Sequence, residues 1–245
     1  LRLGVAGVLV APLLRELDAG RDATLGVAQS ARPLVAASLW VRDPRPCLLV
    51  VSGEEAADRT ACALSAWLGG ELVSRYPERR DWPWSDKPAD DAVVGARCNA
   101  IARLSAGEPC VVVASAHALL RRVPPVGSGY FASASFAVGD ELEFEDVGRL
   151  LVSMGYADAG DSGDVGVPGS FHVHGDAVDV FPAQASSPVR IEFFGDEVDR
   201  VRRMLPSTGQ TIGELREVRV SPCREIALTP RTIEAAGHAL FRRAQ

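Results

Sequence analysis

Two short, almost entirely apolar runs in the first half of the chain constrain its fold more than any other feature. They are PCLLVVSG at 46–53 and PCVVVAS at 109–115. Runs of this length and composition are typical of strands buried on both faces. The segments 54–70 and 92–107 between them have the apolar spacing of amphipathic helices, and the first ends in two glycines. Buried strands that alternate with helices predict a parallel sheet covered by helices.

The pattern changes after Pro124 and Pro125. A helix is predicted within 139–156, with Val147, Leu150, Leu151 and Met154 on one face. Residues then alternate between apolar and polar in four short segments, which are SFHVHG, AVDVFP, VRIEFF and REVRVSP. This alternation predicts a small antiparallel sheet packed on a helix, with a two-residue hairpin turn at Gly175-Asp176.

The sequence therefore predicts an α/β chain in three parts. Residues 1–129 form the first part of a parallel-sheet domain, 130–220 form an inserted small α+β domain, and 221–245 form a helical segment that returns to the first domain. The chain has no initiator Met, and it ends just after a predicted helix. We therefore expect it to be a piece of a longer protein.

Charge and cysteine usage narrow the function class. Residues 131–220 carry 16 acidic and 7 basic side chains, a net charge of −9, so we expect little or no DNA binding by this chain alone. The five cysteines are scattered without a Cys-x-x-Cys pair, which favours reduced thiols in the cytoplasm and indicates neither a structural metal nor another cofactor. No apolar run is as long as a membrane helix needs, so no membrane association is expected.

The segment TLGVAQSARPLVAASLW at 24–40 has the strand, loop and helix order of a phosphate-binding loop. Such a loop needs glycines, a lysine for the phosphates and a Ser or Thr for magnesium. Gly26 is present, but Arg32 stands in place of the lysine, and Pro33 offers neither a hydroxyl nor an N–H. The only lysine of the chain is Lys87. Two interpretations stay open: an ordinary strand–helix connection, or a motor fold that has lost its nucleotide site.

The segment 169–212, GSFHVHGDAVDVFPAQASSPVRIEFFGDEVDRVRRMLPSTGQTI, resembles the part shared by two families of bacterial repair proteins. They are the UvrB helicases and the transcription-repair coupling factors (Mfd). A weaker resemblance extends upstream over PCVVVASAHALLRRVPP. The coupling factors fit better, because UvrB keeps a working nucleotide loop and a long DNA-clamping hairpin, for which YPERRDWPWSDKPADD at 76–91 is too short.

This resemblance implies a degenerate RecA-like domain of the P-loop helicase type, interrupted by a small α+β domain that binds the damage-recognition protein UvrA. The chain itself then acts as a non-enzymatic recruitment module without a cofactor. The full-length protein is expected to be an ATP-driven DNA translocase, with its motor and C-terminal domains and RNA polymerase as further partners. The alternatives are a fragment of a UvrB-type helicase and a metal-dependent hydrolase built on His172 and His174.

Strand alternation separates a core face from an outer face in VRIEFF, and Arg190, Glu192 and Phe194 fall on the outer one. Correspondence with the family implies that UvrA is read by five residues: His172, His174, Arg190, Glu192 and Phe194. The family usually has Arg at the second histidine position. Because a neutral imidazole cannot pair bidentately with a carboxylate, His174 implies either a changed partner surface or a weaker, pH-dependent contact.

Overall fold

A computed structural model describes residues 4–81, 90–124, 130–160 and 163–225, together with positions 234, 237, 238, 241 and 242. The chain divides into two compact units, Leu1–Glu78 with Ala106–Arg121, and Arg79–Ser105 with Arg122–Gln245. The domain boundaries at 129 and 220 stay predictions, and most of the helix predicted in the tail lies outside the described residues. Within the described ranges, no helix is long and apolar enough to cross a membrane.

The first unit is built on a three-stranded parallel sheet with the strand order β1-β3-β2. In chain order, the elements of the first half are α1 (Gly4–Asp18), α2 (Arg32–Arg42), β1 (Cys47–Val51), α3 (Glu54–Leu68), β2 (Val73–Tyr76), α4 (Asp91–Ser105) and β3 (Val111–Ser115). Helix α4 belongs to the second unit and the others belong to the first. The predicted parallel sheet is therefore confirmed.

The two apolar runs of the sequence become strands with different burial. Strand β3 lies in the middle of the sheet and is buried at all five positions, as predicted. Strand β1 lies at the edge of the described sheet, where Leu48 and Val50 are 45% and 48% exposed. The prediction that both runs are fully buried is wrong for β1, because a pattern of apolar residues does not reveal which strand has a neighbour on each side.

The second unit contains a larger, mostly antiparallel sheet. The elements are β4 (Ala134–Ala137), α5 (Phe144–Ser153), β5 (Ala157–Asp158), β6 (Ser170–His174), β7 (Ala177–Val180), β8 (Val189–Phe194), β9 (Glu197–Met204), β10 (Thr211–Leu215) and β11 (Glu217–Val220). Six strands follow the order β10-β9-β8-β7-β6-β5, and β11 pairs with β4 in a separate ladder. Only the two-residue pairing of β5 with β6 is parallel among these described strands.

The core of the second unit lies on one face of this sheet. Helix α5 contributes the buried Val147 and Leu151, and the buried Met154 caps its C-terminus. Leu150 is 39% exposed, so three of the four residues of the predicted stripe are buried. Strands β6 and β7 are joined at Gly175-Asp176, as predicted, and Gly175 adopts a left-handed conformation with φ 56°. An irregularity in the pairing of β8 with β9 leaves Asp199 without a partner in the register.

A buried ion-pair network holds α4 within the second unit. Arg97 is fully buried, and its Nε donates to Oε1 of Glu225 at 2.6 Å. The other carboxylate oxygen of Glu225 accepts from Arg79 at 2.5 Å. Arg79 also donates to Asp81. Because Glu225 is only 4% exposed, this paired network ties the segment after β11 to α4 and to residues 79–81.

Candidate functional site

A row of charged side chains crosses the six-stranded sheet on the face opposite the core. The strand register places these residues opposite one another from β6 to β10: His172, Asp179, Arg190, Arg202 and Glu214. Each of the five strands supplies one residue of this row, and its sequence neighbours point to the opposite face because side chains alternate along a strand. We call this surface the outer face.

Asp179 forms the centre of the outer face. Its carboxylate is only 4% exposed and accepts two hydrogen bonds from Arg190, Nε to Oδ1 and Nη2 to Oδ2, each at 2.7 Å. His174 Nε2 lies 3.2 Å from the same Oδ2. These hydrogen bonds raise the pKa of Arg190. The bidentate pair fixes the plane of the guanidinium, while the Arg190 side chain stays 29% exposed and keeps N–H groups available to a partner.

The two histidines stack on each other beside this pair. Their ring centroids are 5.5 Å apart, with an angle of 22° between the ring planes. Nδ1 of His172 lies 3.9 Å from Oδ1 of Asp158. No group of three or more His, Cys, Asp or Glu side chains that could hold a metal ion occurs in the part of the chain that the structure describes.

Glu192 and Phe194 extend the outer face along β8. Glu192 accepts a hydrogen bond from Nη2 of Arg202 on β9, and the Nε of Arg202 is buried with no hydrogen-bond partner among the described residues. Phe194 is 83% exposed. The preceding Phe193 is 3% exposed and makes an edge contact with Phe144, with 5.1 Å between ring centroids. An exposed aromatic ring beside paired charges is a combination that suits a protein interface.

The structure thus connects His174 to Arg190 through Asp179, and it leaves Phe194 open to solvent at the end of β8. Three residues of this face, Asp179, Arg202 and Glu214, are missing from the sequence-based site. The Asp179 carboxylate is buried and paired with Arg190 rather than exposed to solvent. Its position between Val178 and Val180 was a usable signal for the outer face.

Arg202 is harder to recognise from the sequence. In β9 the buried residues are Val198, Val201 and Met204, a spacing of three, and the first of these intervals contains Asp199, which is unpaired in the register with β8. A spacing of three conceals the two-residue period by which a strand is recognised. The irregular pairing at Asp199 is therefore the physical reason that the sequence pattern does not predict β9 or Arg202.

The residues of the predicted degenerate nucleotide loop lie at the start of α2. Residues 21–28 have no regular secondary structure, so the strand expected there is not formed. A single 3₁₀ turn, Gln29–Ala31, leads into α2, where Arg32 is the first residue and Pro33 the second. A Cβ atom at Gly26 would have nothing within 4 Å. No close packing therefore requires a glycine at position 26. Pro33 occupies a helix position that tolerates the missing N–H.

The segment that carries the outer face matches a known protein family. Residues 134–225 match a family model described as the UvrB interaction domain. The resemblance inferred from the sequence is confirmed. This match spans β4 to β11 and includes every residue of the outer face.

Similarity to individual proteins extends over most of the chain. It is 37% identical to the transcription-repair-coupling factor of Myxococcus xanthus over 231 residues, which cover 91% of this chain and 19% of that protein. It is 33% identical over 219 residues to the transcription-repair-coupling factor of Mycobacterium tuberculosis, with 85% and 17% covered. It is 27% identical to the UvrABC system protein B of Bifidobacterium longum over 244 residues, with 93% and 34% covered. The chain thus spans between about a sixth and a third of the length of these relatives.

Proposed function

We propose that this chain is a non-enzymatic recruitment module that binds UvrA through the outer face of its six-stranded sheet. The match of residues 134–225 to an interaction domain is the observation that carries the proposal. The geometry supports it, because Phe194 is 83% exposed and lies on the same strand as two side chains whose charges are already paired. The residues proposed to contact UvrA are His172, His174, Arg190, Glu192 and Phe194.

Within this face we assign different tasks to the aromatic ring and to the charged groups. Phe194 provides the apolar contact area, since its ring loses most water when a partner covers it. Arg190 and His174 provide orientation, because both are held by the buried Asp179 before a partner arrives. A partner that meets a fixed guanidinium does not have to order a flexible side chain, which lowers the entropic cost of binding.

The experiment is a binding titration of purified UvrA with the 245-residue chain and two variants. Phe194→Ala is expected to weaken binding by about tenfold or more, as for a central aromatic contact. Leu120→Ala is the control, because Leu120 is also an exposed apolar side chain, at 79%, but lies in the first unit. Equal loss of binding in both variants, or no loss in Phe194→Ala, would contradict the proposal.

We further propose that the first unit is a degenerate RecA-like domain that does not use ATP. Arg32 and Pro33 replace the residues that would hold phosphate and magnesium, and the loop before them makes no close approach through Gly26. Calorimetric titration with Mg-ATP is expected to give no saturable heat. Micromolar binding that Arg32→Ala abolishes would show that the loop is functional.

For the longer protein we propose the arrangement that the resemblance to the coupling factors implies, with an ATP-dependent translocase motor and a binding site for RNA polymerase. This chain is proposed to contribute the UvrA contact alone. The proposal rests on the similarity to transcription-repair-coupling factors, of which this chain matches a limited part. A full-length protein without the outer face is expected to keep its translocase activity and to lose UvrA recruitment.

A further inference from the structure

Two glutamates lie beside Phe194, at the end of the sheet where β8 turns into β9. The strand register places Glu197 of β9 directly opposite Phe194. On the other edge of β9, Glu197 pairs through an isolated antiparallel bridge with Glu141, in the segment before α5. Two backbone hydrogen bonds, of 2.7 and 2.9 Å, flank this bridge. We call Phe194, Glu197 and Glu141 the acidic corner.

The three side chains of the acidic corner share one face of the sheet. Residues paired across neighbouring strands point to the same face, with Cβ atoms about 5 Å apart. Because Phe194 is on the outer face, Glu197 and Glu141 lie there as well. All three residues are exposed to solvent. The hydrogen bonds flank the bridge between the two glutamates rather than joining them, which is the type of pair with the closer side chains.

The two carboxylates of the acidic corner face each other without a compensating charge. Glu141 and Glu197 form no hydrogen bond or ion pair in the ranges that the structure describes. Like charges directly opposite one another in a sheet are destabilising. The adjacent Asp140 and Asp196 add further negative charge, and their carboxylates accept hydrogen bonds from backbone amides. The folded chain therefore contains a like-charge pair that lowers its own stability.

Other carboxylates of the outer face are already neutralised. Three of them pair with arginines of the same sheet, and these pairs are Asp179 with Arg190, Glu192 with Arg202, and Asp199 with Arg200. In the acidic corner, by contrast, the described part of the chain supplies an exposed aromatic ring and negative charge without a matching cation.

The position of Glu197 restricts what a partner that covers Phe194 must carry. Because the two residues are directly opposite, a protein surface that buries the ring also covers this carboxylate. A purely apolar surface would remove water from an unpaired charge, which is strongly unfavourable. An acidic surface would add repulsion, as would the phosphates of a nucleic acid. A basic group would instead pair with both carboxylates and offset the repulsion between them.

We propose that the acidic corner receives a basic side chain of UvrA, next to the apolar area that takes Phe194. This inference rests on the proposed UvrA contact. It adds Glu141 and Glu197 to the contact residues, and it gives the chemistry of the partner surface, a cation beside an apolar recess. An arginine suits the corner best, because a guanidinium donates to two carboxylates and also stacks on an aromatic ring.

The test is a titration of UvrA with the 245-residue chain and three variants, each of which is also unfolded in urea. Glu197→Gln and Glu141→Gln are expected to weaken binding about fivefold or more, since each loses a charge-assisted hydrogen bond to the partner. Their urea midpoints should equal or exceed that of the wild type, because each substitution removes a like-charge repulsion. Glu71→Gln is the matched control, an exposed glutamate of the first unit, and it should change neither quantity.

Wild-type affinity in both Glu197→Gln and Glu141→Gln, with binding lost in Phe194→Ala, would overturn this inference and leave the proposed function intact. An equal loss of binding in Glu71→Gln would also overturn it, because the overall charge would then explain the effect. Lower urea midpoints in both corner variants would show that the two glutamates stabilise the fold instead. Absence of UvrA binding by the folded wild-type chain would refute the proposed function, and this inference with it.

Discussion

Replacing Arg190 by alanine removes the principal partner of a carboxylate that is almost inaccessible to water. Asp179 is 4% exposed and would lose two hydrogen bonds of 2.7 Å, and the contact left to its carboxylate within the described part of the chain is the one with His174 at 3.2 Å. Removing one member of a buried ion pair costs about 3–5 kcal/mol. Arg190 itself is 29% exposed and His174 stays in place, so we expect a loss at or below the lower end of this range, about 2–3 kcal/mol.

The assay is urea unfolding followed by circular dichroism, and the matched control is Arg200→Ala. Arg200 lies on the neighbouring strand, its side chain is 57% exposed, and its one ion pair among the described residues is with Asp199 at 3.4 Å. Its loss should therefore change the free energy of unfolding by less than about 0.5 kcal/mol. The double variant Arg190→Ala/Asp179→Ala completes a cycle, in which we expect a coupling energy of at least about 1 kcal/mol. A loss below about 0.5 kcal/mol for Arg190→Ala, or additive single effects, would refute the assignment of Asp179 as the group that holds Arg190.

The remaining predictions concern the aromatic pair of β8 and the buried thiols. Phe193→Ala should lower the free energy of unfolding by about 3–5 kcal/mol, because its ring is 3% exposed. Phe194→Ala should lower it by less than about 0.5 kcal/mol, because its ring is 83% exposed. Similar losses for the two variants in urea unfolding would show that the faces of β8 are misassigned. Burial raises the pKa of Cys223 to about 12 and raises that of Cys98 further. Both thiols therefore stay protonated in the folded protein, whereas they ionise above about pH 8.5 in the unfolded chain. The free energy of unfolding should be independent of these thiols below about pH 8.5 and should fall by roughly 1.4 kcal/mol per thiol per pH unit as the pH rises toward 12. Urea midpoints that do not change between pH 8 and pH 10 would contradict this. A disulfide reagent at neutral pH should modify the exposed Cys62 first, and fast labelling that persists in Cys62→Ser would show that a buried thiol is accessible.

Local sequence patterns predict the strands and helices of this chain well, for identifiable physical reasons. The apolar run at 111–115 is a central strand with neighbours on both sides, so burial and composition agree. The alternation in VRIEFF separates the buried Ile191 from the half-exposed Arg190. Gly175 supplies the left-handed conformation that the hairpin turn requires. In each case the decisive interaction is local or depends on a single buried face.

Features that depend on distant neighbours were not predicted. The exposure of Leu48 follows from the edge position of β1, which the sequence of β1 does not encode. The burial of Asp179 on the outer face depends on Arg190, eleven residues away, which covers and neutralises it. The register irregularity at Asp199 removes the two-residue period of β9, and with it the signal for Arg202. The five predicted contact residues therefore stay a prediction until binding is measured.

The most direct test of the recruitment function is a competition experiment on UvrA. Labelled UvrB bound to UvrA is titrated with the unlabelled 245-residue chain, since residues 134–225 match the UvrB interaction domain. If the outer face is the binding surface, the wild-type chain displaces UvrB completely, Leu120→Ala does so at the same concentration, and Phe194→Ala requires about tenfold more or fails. Failure of the folded wild-type chain to displace UvrB, or displacement by Phe194→Ala at the wild-type concentration, would contradict the proposal that this face binds UvrA.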